Sequence, residues 1–134
     1  MLEAIMCLTM AVYFEARGEP PLGQMAVAHV VMNRVESDSY PDSVCAVVKQ
    51  GRYWKHVPLR HQCQFSFWCD GKPEVVADHE AWVNAFIYAS AVYMGLVRDT
   101  TVGATHYHTK QVNPAWSLPM NITTQVNNHV FYRQ

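Results

Sequence analysis

The sequence predicts an α+β fold, helices first with a small C-terminal antiparallel sheet, and three observations carry that expectation. Apolar stretches with helical spacing fill residues 2–16, 20–36 and 73–97. After Asp99 the texture changes to short alternating runs such as "ATHYHT" and "TTQVNNHVFYR". No strand–helix–strand alternation recurs that would call for a parallel sheet. A length of 134 residues suits one domain around one hydrophobic core, residues 1–134.

Residues 2–16 read as a helix stopped by Gly18 in a left-handed conformation, with Arg17 near the negative end of the helix dipole. "GEPPLGQMAVAHVVMNRVES" starts with prolines suited to a first helical turn and continues as a helix to Glu36. "SDSYPD" is a turn, and Asp42 or Ser43 caps a short helix through "VCAVVKQ" that stops at Gly51. From Arg52 to Asp70 the aromatic and polar mixture, with Pro58, reads as an extended loop or hairpin. Residues 73–97 form the longest helical pattern, with Ala81, Trp82, Ala85, Phe86, Ala89 and Tyr93 on its buried face. "ATHYHT" places His106 and His108 on one face of a strand and Tyr107 on the other. "TTQVNNHVFYR" is a hairpin turning at Asn127 and Asn128, since Asn tolerates positive φ.

Half of the residues are apolar and 16 % are charged, a balance that packs rather than stays disordered. The formal net charge of −1 offers no compositional basis for capturing nucleic acid or gripping anionic lipid, and suits a neutral substrate. The apolar N-terminus "MLEAIMCLTMAVYF" lacks a basic leader and a cleavage site and is interrupted by Glu3, so it reads as the first helix rather than an export signal. No apolar run approaches the roughly 20 residues that span a bilayer. Of the four cysteines, Cys7 reads as a small buried hydrophobe. Cys63 and Cys69 bracket "QFSFW" and can bridge if that segment turns back, whereas a straight strand holds them too far apart.

Glu15 is the most pointed chemical signal. Residues three, four and seven before it are Val12, Ala11 and Leu8, so one helical face surrounds it with hydrocarbon. Such a carboxyl pairs with a cation such as Arg17 or Arg34, is hydrogen-bonded, or has its pKa raised by desolvation, which makes a general acid. Glu19, four residues on, either shares acid and base roles in glycoside cleavage or caps the following helix. Phe14, Phe67 and Phe86 read as core. Gln64, Phe65 and Ser66, with His106, Tyr107, His108 and Trp116, mix flat rings with polar edges and read as a sugar-binding groove. His106 and His108 with Asp99 or His129 are the one candidate metal set. No Cys-x-x-Cys or His-Glu-x-x-His occurs, and no metal and no cofactor is expected. There is no Gly-x-Ser-x-Gly elbow or phosphate-binding glycine loop, and no local signature supports Cys63 or Cys69 as a nucleophile.

Taken together, "YFEARGEPPLGQMAVAHVVMNRV", "YPDSVCAVVKQ", "CQFSFWCDG", "GATHYHTKQVNPAW" and "HVFYR" resemble the SleB-type cell-wall hydrolases, over nearly the whole chain and in order. That family includes spore-cortex-lytic enzymes, bacterial cell-wall hydrolases and phage lysins. The resemblance implies a compact lysozyme-related, lytic-transglycosylase-like α+β fold. It also implies cleavage of the β-1,4 bond between N-acetylmuramic acid and N-acetylglucosamine in peptidoglycan. The family's catalytic glutamate falls in "YFEARGE", which makes it Glu15. Its implied role is to protonate the departing oxygen and then act as base while the muramic 6-hydroxyl closes a 1,6-anhydro ring, which needs no second carboxylate. Gln64, Phe65, Ser66, His106, Tyr107 and His108 would line the groove. The chain departs from the family in having Val126, Asn127 and Asn128 before His129, where Ile-Gly is common, and in Pro21.

The expected partner is a peptidoglycan glycan strand, acted on by a monomer with no nucleic acid and no membrane insertion. A domain without an export signal resembles a phage lysin that accumulates in the cytoplasm and reaches the wall once the membrane is breached. Three rivals remain: a muramidase using Glu15 and Glu19, a metal-dependent amidase or peptidase using His106, His108 and Asp99, and a wall-binding module without catalysis.

Overall fold

Leu8, Ala11 and Val12 have no exposed surface, and the stripe they form along the first helix organises the molecule. The computed structural model describes all residues, Met1–Gln134. Helices α1 (Leu2–Ala16), α2 (Pro21–Glu36), α3 (Val44–Val48) and α4 (His79–Tyr93) pack so that α1 touches the other three. Their shared core gathers Leu8, Val12, Tyr13, Val31, Val47, Phe65, Ala85 and Ala89.

The first two helices keep the expected bounds, for a different reason at the junction. Gly18 does not take a positive φ, and Arg17 stays helical at φ −59° and ψ −24°. Pro20 disfavours the helical conformation at Glu19, which makes the break, and Pro21 opens α2. Ser43 caps α3, its Oγ accepting from the Ala46 N–H at 3.2 Å. Helix α4 begins at His79 rather than near Pro73, because Asp78 Oδ1 accepts the Ala81 N–H at 3.0 Å and fixes the start there. Its buried stripe is Ala85, Ala89 and Val92, and Phe86 lies 38 % exposed, outside the core expected of it.

The segment 52–70 is a hairpin, β1 (Gly51–Trp54) with β2 (Val57–Cys63), followed by a 3₁₀ turn at Ser66–Cys69. That turn doubles the chain back, and Cys63 and Cys69 are bridged across it. Cys7 is bonded to Cys45, tying α1 to the first turn of α3, so it is not the free hydrophobe the sequence suggested. A buried Cys7 on one helix and a half-buried Cys45 on another bring together cysteines 38 positions apart, which local pattern does not show.

Strands β3 (His106–Thr109), β4 (Asn121–Val126) and β5 (His129–Arg133) form the antiparallel sheet β3-β5-β4. Asn127, at φ +51°, makes the β4–β5 turn. Phe131 in the central strand is fully buried against Ala26 and Val30 of α2, and this contact seats the sheet on the helices. The loop leading into β3 is pinned by Asp99, whose carboxylate accepts from the Thr101 N–H and Oγ1, the Gly103 N–H and Asn33 Nδ2 of α2. No helix is long and apolar enough to cross a membrane.

Candidate active site

Glu15 leaves the last turn of α1 with Leu8, Ala11 and Val12 buried behind it, as the helical spacing required. Its carboxyl points toward the sheet, where Tyr107 of β3 donates its hydroxyl proton to Glu15 Oε1 at 2.7 Å. Tyr107 is held from its far side, its ring edge-on to His129 at 5.1 Å and tilted against Phe131 at 5.7 Å. Strand alternation therefore sends Tyr107 to the helices while His106 and His108 flank Trp116, with ring centroids 5.3 and 5.7 Å away.

Arg34 completes the site from α2. Only 6 % exposed, it donates Nε–H to the Thr105 carbonyl at 2.7 Å, and its guanidinium sits 5.0 Å from the Tyr40 ring and 5.5 Å from the Phe65 ring. A cavity of about 200 Å³ collects Glu15, Arg34, Gln64, Phe65, His106, Tyr107 and Trp116. Trp116, 40 % exposed, supplies the open ring at its rim.

The electrostatics favour a protonated Glu15. Burial pushes its pKa up and outweighs both the Tyr107 hydrogen bond and the Arg34 charge, which act to lower it. Tyr107 is held well above the usual tyrosine range by burial and by the adjacent carboxylate, so it acts as a donor and not as an acid. Burial, and then the Arg34 charge, lower the pKa of His106, which favours the neutral ring.

Six residues anticipated from sequence thus share one cavity, and three do not. Glu19 turns away and sets Oε1 3.0 Å from His129 Nδ1. It does not cap α2, whose N-cap position is Pro20 and which has no side-chain cap. His108 faces Tyr132, Nε2 to Oη at 2.7 Å, and Ser66 is exposed at the start of the 3₁₀ turn. Asp99 is occupied by its loop, and no three His, Cys, Asp or Glu side chains converge as a metal set. From the sequence, Arg34 stands only as a cation to pair with Glu15 and has no place in the groove. The signal was available, since Val31, Val30 and Val27 lie three, four and seven residues before it and are all fully buried, the same pattern that exposed Glu15.

The fold and cavity define a class: an α+β domain whose helical bundle carries one desolvated carboxyl at the floor of an aromatic-lined cleft. A family model described as cell wall hydrolase matches residues 18–132, beginning just past Glu15, and the chain belongs to that family.

A spore cortex-lytic enzyme of Halalkalibacterium halodurans is 33 % identical over 131 residues, covering 95 % of this chain and 34 % of that protein. One from Bacillus cereus is 52 % identical over 48 residues, 36 % of this chain and 18 % of that protein. The chain therefore spans about a third or less of the length of these relatives. The catalytic domain of the germination-specific lytic transglycosylase SleB from Bacillus anthracis superposes with a TM-score of 0.75 at 28 % identity, covering 97 % of this chain and 93 % of that one. The catalytic domain of Bacillus cereus SleB gives 0.71 at 27 % identity, covering 99 % and 91 %. The α+β fold, with helices first and the small sheet last, is the one the sequence predicted.

Proposed function

We propose that this domain cleaves the β-1,4 bond between N-acetylmuramic acid and N-acetylglucosamine in peptidoglycan as a lytic transglycosylase, with Glu15 as acid and then base. The observation that carries the reading is the solitary Glu15 carboxyl, desolvated and oriented by Tyr107 inside the aromatic cavity. Membership of the cell wall hydrolase family and the likeness to a lytic transglycosylase domain support the substrate class.

Protonated Glu15 gives its proton to the glycosidic oxygen as the C1–O bond breaks, and the electron pair leaves with that oxygen. The Glu15 carboxylate then takes the proton of the muramic 6-hydroxyl, whose oxygen bonds to C1 and closes the 1,6-anhydro ring. The acid is regenerated and no water enters, so one carboxyl suffices. The contact of Glu19 with His129 fits this scheme better than a hydrolysis that needs Glu19 free to hold water.

Digesting purified sacculi with the parent and with Glu15→Gln, and reading soluble products by mass spectrometry, tests the proposal. Anhydro-muropeptides from the parent, with a loss on the order of 10²–10⁴ in the variant, are expected. Reducing-end products move the reaction to hydrolysis, and full activity of Glu15→Gln removes Glu15 from the mechanism.

A further inference from the structure

The near-neutral whole chain hides a segregated stretch. From Ser43 to Cys69 there is no acidic residue, yet Lys49, Arg52, Lys55 and Arg60 lie there, four of the ten lysines and arginines. Arg52, Lys55 and Arg60 all project from the β1–β2 hairpin and are exposed. None is neutralised internally, since both acid–base contacts within 4.0 Å in the molecule involve histidine. Aromatic rings interleave with them: Lys55 Nζ lies 4.6 Å over Trp54, itself 65 % exposed, and Lys49 Nζ lies 4.9 Å over Trp68.

The hairpin also encloses space. A cleft of about 270 Å³ lies between β2 and the chain after the 3₁₀ turn, lined by Pro58, Arg60, Trp68 and Lys72, with Glu74 its one acid. Arg60 reaches this cleft by lying across Gly71, where a Cβ would come within 2.7 Å of its Nε and where φ is +83°. The base of the hairpin is closed by the Gln64 N–H donating to the Gln50 carbonyl at 2.9 Å, and Gln64 and Phe65 are themselves walls of the Glu15 cavity. The cationic arm is therefore rooted at the edge of the groove.

We propose that the β1–β2 hairpin and its Arg60–Trp68–Lys72 cleft bind the carboxylate-bearing peptide stems of peptidoglycan. The inference rests on the peptidoglycan reading above and adds a second part of the same substrate. Stems branch from the muramic sugar that the cavity takes, and their free carboxylates match unpaired guanidinium and ammonium groups. An extended four-residue stem reaches about 14 Å and the seven-residue strand β2 about 23 Å, so the arm is long enough to follow it. Cations gathered around a ring in a cleft suit discrete carboxylates better than a flat lipid surface does.

Sedimentation of the Glu15→Gln protein with native sacculi, and with sacculi whose carboxyls have been converted to amides, tests this without digestion. Amidating the sacculi is expected to weaken binding roughly tenfold, from three exposed ion pairs of modest strength each. Arg52→Gln/Lys55→Gln/Arg60→Gln is expected to lose the same factor on native sacculi and nothing further on amidated ones, while Arg52→Lys/Arg60→Lys keeps the preference. Equal affinity for native and amidated sacculi overturns the proposal, as does an equal loss on both for the neutralised hairpin. Capture by phosphatidylglycerol vesicles that depends on the three cations, with the sacculus preference unchanged, assigns the arm to lipid instead. Failure of the parent to release any glycan product refutes the chemistry of the preceding section, and the binding comparison reads separately from it.

Discussion

Removing the Cys7–Cys45 bridge is expected to destabilise the protein far more than removing Cys63–Cys69. The two bridges close chain separations of 38 and 6 residues. Loop-closure entropy then assigns them about 3.9 and about 2.2 kcal/mol at 25 °C. For 134 residues, the unfolding entropy converts these into Tm losses of roughly 14 and 8 °C. Cys7 is also buried to 4 % exposure, so truncating it to Ala adds a small packing loss in the same direction. Urea and thermal unfolding of Cys7→Ala/Cys45→Ala and Cys63→Ala/Cys69→Ala, followed by far-UV circular dichroism, measures both. Cys7 lies eight residues before Glu15, about 12 Å along the helix, so peptidoglycan turnover at 25 °C should survive in the first variant despite its lower Tm. Equal losses, or a larger loss from the six-residue loop, would refute the entropic reasoning.

Three further outcomes follow from the site. Tyr107→Phe removes a hydrogen bond that favours the Glu15 carboxylate, so the Glu15 pKa rises further and the alkaline fall of kcat/KM moves to higher pH; a limb that stays or moves down contradicts the assignment of Glu15 as acid. Glu15→Gln should raise Tm. The folded pKa is raised, so the parent is destabilised progressively as pH climbs through it, and the gain in the variant should grow from acidic to neutral buffer in calorimetry. Trp116→Ala removes the open ring at the cavity rim and should raise KM roughly fivefold, about 1 kcal/mol, with kcat little changed in a turbidity assay on sacculi.

Local chemistry made much of the fold legible. The Gly-Glu-Pro-Pro break fixed the ends of α1 and α2, the capping Ser43 marked α3, and the paired asparagines marked the last turn. Glu15 stands out because its helical face is lined with Leu8, Ala11 and Val12. Helix α4 was harder, since Val83, Phe86 and Ile87 are apolar yet exposed, and periodicity alone could not choose between two apolar sides. Val75 and Val76 carry the apolar pattern back past the helix start, whereas the Asp78 cap decides the boundary. What sequence could not supply were contacts made across the fold, such as Cys7 with Cys45 and Glu19 with His129. Glu19 and Glu15 look alike in the motif, and only the docked sheet sends one to a histidine and the other to a tyrosine.

The hydrogen bond from Tyr107 to Glu15 spans 92 positions of chain and joins the first helix to a strand near the end. Contacts of that separation are slow to form, because a long loop must close before they return anything. Until β3 docks, Glu15 lacks the Tyr107 hydroxyl that holds its carboxyl and the sheet side of its cavity. A chain with all four helices in place but an undocked sheet would look largely folded by circular dichroism and yet lack its assembled site. Regain of catalysis during refolding should therefore lag the regain of helix, and the lag times the seating of the sheet.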